Sequence, residues 1–415
     1  MVLMLLKSSK FIAQYNRFFI FNYMKISFLT LFFTILLTNL FAQSNIIKVK
    51  VVDEKKEGIA NASIKIKNKS NGTICNADGF FVLNIDEVSQ ADSVLISSIG
   101  FETYSISVKD LLVFNNKSIQ LKILYQNLRE VKVISEESII SKIREAILNT
   151  KSLMLKTGNF EGYYKELVYG NNSLTKFADG VISGYIDNTN TPSKYQLKIV
   201  ESRFKEDTDE SKSKVLDLVE SQLKISLPFE KGFNFTRIVK MLDEKTKYSF
   251  YIFSEDANNI IYTIEPKEGI KEPLQTTNIS IAKKNNKIES LESSVNAKQA
   301  AYFKGMKLLS VESYIKTLNI KLIYQNDDDV SYLKYYKCDV DQFLSTSKEK
   351  FDFVYKSEML LTKVNIVNPI EVPAKEQYKK KNLFRNGNKF IGDFWSKYNT
   401  ILLNEKELKE INNLK

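Results

Sequence analysis

Over residues 46–124 apolar side chains recur at every second position, a period typical of half-buried β-strands. In the first stretch Ile47, Val49 and Val51 alternate with polar or smaller residues. Further stretches of this kind cover 62–66, 81–85, 94–98, 104–108 and 119–123. Turn signals such as Asp78-Gly79 separate them. Short strands at this spacing predict an antiparallel two-layer β-sandwich.

A connecting strand or linker is predicted over 125–135, and a second, β-rich region over 136–415. Ser135 is a suitable N-cap for a helix, and apolar residues then recur at helical spacing through Thr150. These residues are Ile139, Ile140, Ile143, Ala146 and Ile147. The spacing predicts an amphipathic helix that packs on its own domain.

After this helix, long alternating stretches rich in tyrosine predominate and predict strands. They cover 160–166, 178–186, 195–200, 248–253, 260–264, 277–282, 287–295, 308–318, 322–324, 331–340 and 351–364. Residues 214–245 break the pattern and are predicted to hold a short helix or a lid-like insertion. The predicted fold class is therefore mainly β: an N-terminal sandwich, then a helix and a larger curved antiparallel sheet.

Residues 1–42 are predicted to be a secretory signal peptide. Met24-Lys25 precedes an apolar run over 26–40, and Ala42 is a suitable cleavage position. Because Met24 opens a complete signal, the preceding residues are interpreted as an upstream extension. The alternative is an uncleaved membrane anchor. No later stretch is apolar for about 18 residues, so we expect an exported protein without a transmembrane helix after signal removal, in the periplasm or at the outer membrane or cell surface.

The chain contains no histidine. Histidine is the usual general base near neutral pH and the commonest ligand of catalytic zinc. Its absence excludes Ser-His-Asp and Cys-His catalysis and every His-ligated zinc hydrolase. Chemistry based on paired carboxylates, a lysine nucleophile or oxygen-ligated metals is left open.

The net charge is +11, but basic residues alternate with acidic ones along the chain. The densest basic run, over 379–381, is short, whereas nucleic-acid binding needs a patch or stripe of positive charge. We therefore expect no nucleic-acid partner. Cys75 and Cys338 could form one disulfide, but we expect two buried free thiols.

A resemblance to a known family becomes specific in the first domain. Val51-Val52-Asp53, the segment 58–64, Gly72-Thr73, Asp78-Gly79-Phe80-Phe81 and Ser98-Ile99-Gly100-Phe101 follow one another in order. This order resembles the carboxypeptidase regulatory-like domain, an Ig- or transthyretin-like sandwich common in envelope proteins of Bacteroidota. The sequence departs from the family pattern at Ala60-Asn61 and at Cys75.

The resemblance implies a binding or placement module and not the attached protease, whose zinc ligands include histidine. The motif residues are given a structural role in turns and core: Gly58, Ala62, Gly72, Thr73, Asp78, Gly79, Phe80, Gly100 and Phe101. The second region resembles the β-rich part of Bacteroidota proteins that carry this domain. Its similarity to the open half-barrels of lipoprotein carriers is an analogy of fold.

Candidate sites in the second region are few. The acidic clusters at 206–210 and 327–329 lack the glycine and spacing of calcium loops, so solvated hairpin tips are favoured. Four aromatic residues could line a sugar or lipid surface, although aromatic residues in strands usually belong to a core. These are Tyr163, Tyr164, Trp395 and Tyr398.

The sequence thus predicts a non-catalytic envelope protein that needs no cofactor or metal. The sandwich would position the protein or bind another protein, and the larger region would bind an apolar or extended ligand. Expected partners are an envelope protein, a lipid or a glycan. A periplasmic carrier of lipid or lipoprotein, or an outer-membrane assembly factor, is the main alternative. A hydrolase is the third and would require a cleft with convergent carboxylates or a Ser/Lys pair.

Overall fold

The structure is a computed structural model in which Ile47–Lys415 form one compact unit. It describes residues 46–67, 69, 72–85, 88–124, 134–189, 193–207, 224–303, 305–308, 311–327, 329–346, 350–384, 388–389 and 400–414. The predicted signal peptide and most of the predicted linker lie outside the described residues. Among those described, none of the helices has the length and apolar character needed to cross a membrane.

The N-terminal sandwich consists of two small sheets and a short helix. Its strands are β1 (Ile46–Val52), β2 (Ser63–Ile66), β3 (Gly72–Ile74), β4 (Phe80–Asn84), β5 (Ser93–Ser97), β6 (Tyr104–Ser107) and β7 (Ser118–Gln120), with α1 (Val108–Leu112) before β7. One sheet has the order β4-β1-β7 and the other β3-β2-β5-β6. The predicted mainly-β sandwich is confirmed.

One pairing in the sandwich differs from the antiparallel expectation. β1 pairs with β7 in parallel, with Val51 opposite Ile119. The two strands open and close the sandwich, so a connection longer than a hairpin joins them, which is what a parallel pair requires. Alternate side chains from both sheets fill the core, including Ile47, Phe81 and Val94, each fully buried.

The second region is built on one large sheet. Its strands are β8 (Thr157–Gly170), β9 (Ser173–Asp187), β10 (Lys194–Glu206), β11 (Tyr248–Glu255), β12 (Asn259–Pro266), β13 (Thr276–Ala282), β14 (Lys287–Val295), β15 (Met306–Leu308), β16 (Val311–Asn326), β17 (Ser331–Ser345), β18 (Lys350–Asn365) and β19 (Asn388–Lys389). Within the described residues, the order β11-β12-β13-β14-β16-β17-β18-β8-β9-β10 is antiparallel throughout. β15 pairs with β16, and β19 adds to β10 in parallel.

A group of helices covers one face of this sheet, and the sandwich, together with the C-terminal helix, covers part of the other. The helices of this region are α2 (Glu136–Ser152), α3 (Leu227–Lys231), α4 (Thr236–Asp243), α5 (Ala297–Ala300) and α6 (Glu405–Asn413). We call the face that packs against α2, α3 and α4 the helix face; Tyr164, Leu333 and Leu361 belong to it. The opposite face, which includes Tyr163 and Tyr335, is the sandwich face.

The helix α2 forms as its sequence predicts. The Ser135 side chain accepts a hydrogen bond from Ser138 N at 3.3 Å and so caps the first turn. Its apolar stripe packs on β11 and β14. At its last turn the Thr150 hydroxyl accepts a hydrogen bond from Ile288 N at 2.9 Å. This contact fixes the C-terminal end of α2 above the sheet.

The sandwich packs on the large sheet through a small apolar cluster. Ile74 at the end of β3 is 1% exposed and packs with Tyr163, Tyr335 and Leu360 of the sheet. The Tyr335 hydroxyl also donates to Asn61 Oδ1 at 3.3 Å. The sandwich therefore has a fixed orientation on the sheet.

Candidate functional site

A cavity of about 310 Å³ lies on the helix face of the large sheet, between the end of α2 and the segment that carries α3 and α4. Ligand pockets typically have volumes of about 300–1,000 Å³ and are mainly apolar. Its lining residues are Lys151, Met154, Leu155, Ile186, Asn188, Ser193, Tyr195, Pro228, Phe229, Glu230, Gly232, Phe233, Asn234, Phe235, Thr236, Tyr332, Leu333 and Leu361. The floor comes from the sheet and the roof from residues 228–236, which we call the cap.

Aromatic contacts hold the cap against the sheet. The Phe229 ring centroid lies 4.9 Å from that of Phe160 and 5.5 Å from that of Tyr195. Further along the cap, Phe233 packs edge-on against Tyr324 with a centroid distance of 5.3 Å. Aromatic pairs in this distance range add stability beyond the area that they bury. The cap is thus a packed part of the fold.

Two phenol hydroxyls of the sheet bind the cap main chain. The Tyr195 hydroxyl donates to Phe229 O at 2.9 Å, and the Tyr324 hydroxyl donates to Gly232 O at 2.5 Å. Phe229 lies in the last four residues of α3 and Gly232 is its C-cap, and carbonyl groups at these positions have no partner within the helix. These bonds set the height of the roof and so define the cavity volume.

One polar group in the cavity lining is buried without a partner. Tyr332 is 3% exposed, and its hydroxyl makes no hydrogen bond to any of the residues that the structure describes. Burial raises the pKa of this phenol, so it keeps its proton at neutral pH. An unsatisfied buried hydroxyl costs about 1–3 kcal/mol. A hydrogen-bond acceptor brought by a ligand would remove that cost.

The exposed lining residues mark the mouth of the cavity. They are Lys151, Glu230, Asn234 and Thr236. Lys151 and Glu230 are the charged members of the lining, and they have opposite sign. Among the lining residues that the structure describes, Glu230 carries the one carboxylate, so no pair of carboxylates converges in the cavity. This arrangement suits binding of an apolar group better than general acid–base chemistry.

A group of buried charges lies on the sandwich face, away from the cavity. Lys165 Nζ is 3.2 Å from Glu407 Oε1 and 3.7 Å from Glu358 Oε2. Burial alone would lower the pKa of Lys165, but Glu358 and Glu407 together raise it above its usual value. Nearby, Arg203 makes a two-pronged ion pair with Asp179 at 2.7 and 2.8 Å. These carboxylates are paired with cations under the C-terminal helix α6 and do not converge in a cleft.

Two of the tyrosines considered for a ligand surface lie in the interior. Tyr163 and Tyr164 are each 1% exposed, on opposite faces of β8. The Tyr163 hydroxyl donates to Asp179 Oδ2 at 2.7 Å, and that of Tyr164 donates to Glu166 Oε2 at 3.1 Å. Both belong to the core and not to an exposed surface, as aromatic residues in strands usually do, because β8 is a central strand covered on both faces. Trp395 and Tyr398 lie outside the described residues.

The motif residues of the sandwich occupy turns and core positions. Gly79 has φ +83° in the turn before β4, and a Cβ on Gly58 would lie 2.0 Å from Asp78 O. The Asn76 side chain accepts from Asp78 N and Phe80 N at 3.0 and 2.8 Å, which closes the same turn. Ala62, Thr73 and Gly72 are buried, Phe101 packs on the core and Gly100 has φ +86°.

The turn geometry agrees with the comparison with known families. Residues 47–134 match the family model of the CarboxypepD_reg-like domain. The match covers about a fifth of the chain and includes the whole sandwich, which we now call the CarboxypepD_reg-like domain. No curated protein is significantly similar in sequence to this chain.

Solved structures similar to this chain are remote. A lipovitellin structure that describes lipid–protein interactions has a TM-score of 0.22 at 11% identity, and the match covers 55% of this chain and 28% of lipovitellin. A LolA superfamily protein from Nitrosomonas europaea has a TM-score of 0.19 at 10% identity, over 59% of this chain and 98% of that one. A DUF1329 family protein from Desulfovibrio piger has a TM-score of 0.21 at 7% identity, over 56% and 95%. At these scores the likenesses support no conclusion about fold or ligand.

The sequence pattern does not identify the residues that form the cavity. Phe229, Phe233 and Phe235 fall in the stretch 214–245, for which the sequence predicts a short helix or a lid-like insertion. Three phenylalanines at that spacing beside Gly232 were the available signal. No sequence signal identifies Tyr332, because whether its hydroxyl has a hydrogen-bond partner depends on the folded surroundings.

Proposed function

We propose that the chain is a non-catalytic binding protein of the cell envelope whose large sheet holds the apolar part of an amphipathic, lipid-like ligand. The observation that carries the proposal is the open apolar cavity on the helix face, with the unpaired Tyr332 hydroxyl in its lining.

The shape and polarity of the cavity favour one alkyl chain with a polar end. Its volume, about 310 Å³, is at the lower end of the range for small-molecule pockets. Leu333 and Leu361 of the sheet line its floor, Leu155 lines it just before β8, and cap phenylalanines line its roof. Burial of an alkyl chain contributes about 0.8 kcal/mol per methylene. The Tyr332 hydroxyl can donate to an ester or carboxyl oxygen of the same ligand.

The CarboxypepD_reg-like domain is proposed to position this binding region in the envelope. It is fixed to the sandwich face by Ile74 and by the hydrogen bond from Tyr335 to Asn61. The cavity opens on the other face of the sheet, so a partner bound to the domain would leave the cavity mouth free. A carrier role for lipid or lipoprotein is compatible with this arrangement and would require ligand release.

A fluorescence titration with a dansyl-labelled fatty acid tests the proposal. The wild-type chain should bind the probe with a Kd in the micromolar range, and unlabelled palmitate should displace it. Met154→Trp fills the cavity from its lining and should weaken binding at least about tenfold, equivalent to about 1.4 kcal/mol. Tyr332→Phe should weaken it about two- to tenfold, because one hydrogen bond is lost.

Val113→Trp is the matched control, since Val113 is 65% exposed on the CarboxypepD_reg-like domain. It should leave probe affinity unchanged. Absence of saturable binding by the wild-type chain, or equal affinity in Met154→Trp, would contradict the proposal. Turnover of ester or glycoside substrates by purified protein would contradict its non-catalytic part.

A further inference from the structure

An exposed apolar loop lies at the same corner of the molecule as the cavity. Residues 366–370, which we call the 366–370 loop, follow β18. Ile366 is 48% exposed, Val367 68% and Ile370 75%. Large aliphatic side chains at such exposure are costly in water when they cluster, and clustering commonly marks an interaction surface.

The loop is held in place by defined hydrogen bonds. Asn159 Oδ1 accepts from Ile370 N and Asn159 Nδ2 donates to Ile370 O, each at 2.7 Å. Asn365 Oδ1 accepts from Val367 N at 3.0 Å, and Asn368 takes a left-handed φ of +47°, which asparagine tolerates. The fold therefore presents these aliphatic side chains outward on a fixed turn.

The base of the loop adjoins the cavity rim. A Cβ placed on Gly158 would lie 3.2 Å from Asn365 O and 3.2 Å from the Leu155 side chain, which lines the cavity. On β10, Gln196 Nε2 donates to Glu371 at 2.6 Å; Gln196 directly follows the cavity-lining Tyr195, and its side chain lies on the opposite face of the strand. Loop and cavity mouth thus share one end of the sheet.

Exposed lysines accompany this corner. Lys156 follows Leu155 at the rim, and its carbonyl accepts from Asn188 N at 2.7 Å. Lys363 is exposed three positions before the loop and lies opposite Glu161 in the ladder between β18 and β8. Glu371, directly after the loop, is paired with Lys194 at 2.7 Å. An aliphatic tip flanked by lysines matches the acyl region and the anionic headgroups of a lipid surface.

We propose that Ile366, Val367 and Ile370 insert into a phospholipid bilayer and orient the cavity mouth toward it. A protein partner is disfavoured because a stable interface buries about 800 Å² on each side and is centred on aromatic or arginine anchors. Three aliphatic side chains on a turn supply neither. The passage of a ligand between bilayer and cavity rests on the proposed function, whereas docking is measured without it.

Vesicle co-sedimentation tests docking, using the chain from Gln43 so that the apolar run over 26–40 is absent while the whole compact unit Ile47–Lys415 is retained. Vesicles of three parts phosphatidylethanolamine to one part phosphatidylglycerol should bind it reversibly, with half-saturation on the order of 1 mM lipid. The triple variant Ile366→Ser, Val367→Ser, Ile370→Ser should lose binding at least about tenfold. Neutral phosphatidylcholine vesicles should bind the unaltered chain more weakly.

The matched control removes three exposed aliphatic side chains elsewhere: Leu112→Ser, Val113→Ser and Leu148→Ser, whose residues are 36%, 65% and 68% exposed. It should bind vesicles as the unaltered chain does. Failure of the unaltered chain to bind, equal binding by the loop variant, or equal loss in the control would overturn docking. If the unaltered chain formed a dimer and bound no vesicles, and the loop variant were a monomer, the partner of the loop would be a second copy of the chain.

The fatty-acid probe separates this inference from the proposed function. The loop variant should keep the probe affinity of the unaltered chain, since its three residues do not line the cavity. Vesicle binding without probe binding would support docking and contradict the ligand proposal. Probe binding without vesicle binding would support the ligand proposal and contradict docking.

Discussion

The side-chain amide of Asn159 makes two 2.7 Å hydrogen bonds with the main chain of Ile370, one as acceptor and one as donor. This pairing imitates a β-ladder at a position where the chain has left the sheet. It joins the start of β8, beside the cavity rim, to the exposed turn after β18. The geometry of the proposed docking surface therefore depends on a residue that is not part of that surface.

We predict that Asn159→Ala loosens the 366–370 loop without unfolding the protein. Two hydrogen bonds contribute about 1–3 kcal/mol to local order. The Ile370 amide should exchange with deuterium at least about tenfold faster, while amides in β12 keep their protection. Unchanged exchange at Ile370 would show that other contacts hold the loop.

We predict that Glu407→Gln destabilises the protein by about 2–3 kcal/mol in urea unfolding, because it leaves the buried Lys165 with Glu358 as its remaining close partner. Glu407 also completes the capping box of α6: its N–H donates to Asn404 Oδ1 at 2.8 Å, and Asn404 N donates to its carboxylate at 3.0 Å. Glutamine can still accept that bond, so the substitution isolates the charge.

Asn404→Ala instead removes the N-cap side chain of α6 and leaves the ion pair in place. It should lower the free energy of unfolding by about 1 kcal/mol. Glu405→Gln, at an exposed position of the same helix, should be nearly neutral. If Glu407→Gln cost no more than Asn404→Ala, the ion pair with Lys165 would contribute nothing measurable.

The sequence predicts the parts of this fold whose signals are local. The alternation around Val49 and the helical spacing around Ile143 each reflect one buried face, so β1 and α2 follow from a few neighbouring residues. The apolar pattern does not predict α6, because this helix is short and follows no long apolar run, although Asn404 and Glu407 have the spacing of a capping box.

Alternation fails where both faces of a strand are covered. In β8, Tyr163 and Lys165 point to the sandwich face while Tyr164 and Glu166 point to the helix face, and all four are buried. Burial of the two charges depends on partners more than a hundred residues away in sequence. The cavity is beyond sequence reasoning for the same reason, since its lining is assembled from distant strands and the cap.

We predict that Lys334 makes the folded protein more stable as the pH rises from 7 to 9. Burial, together with the positive charge of Lys65, lowers the pKa of Lys334 to about 7. An unfolded lysine titrates near 10.4. Between these values the unfolded chain holds the extra proton, so the free energy of unfolding increases with pH, by about 2 kcal/mol over this interval.

Lys334→Met should flatten this dependence, measured as urea midpoints at each pH, because its side chain has similar length and no charge. Lys240→Met, at an exposed position of α4, is the control and should leave the slope unchanged. A variant Lys334→Met that kept the full slope would assign the effect to another group.

Two glycines of the CarboxypepD_reg-like domain should respond differently to alanine. At Gly58 a Cβ would lie 2.0 Å from Asp78 O, so Gly58→Ala must displace main chain and should cost at least about 3 kcal/mol. Gly100 has open space around it but φ +86°, so Gly100→Ala should cost about 1 kcal/mol. Equal costs in thermal unfolding would contradict this separation of steric and conformational effects.

The contact between Ile74 and the large sheet predicts that the two regions unfold together. Ile74 is 1% exposed and packs against Tyr163 and Tyr335, so Ile74→Ala should leave a cavity and cost about 2–4 kcal/mol. Because the lost contacts belong to both regions, amide protection should fall in β2 and in β17 alike. Val94→Ala, in the core of the CarboxypepD_reg-like domain, is the comparison. If protection in β17 were unaffected by Ile74→Ala, the domain and the sheet would be independent folding units, and the fixed placement that the proposed function uses would not hold in solution.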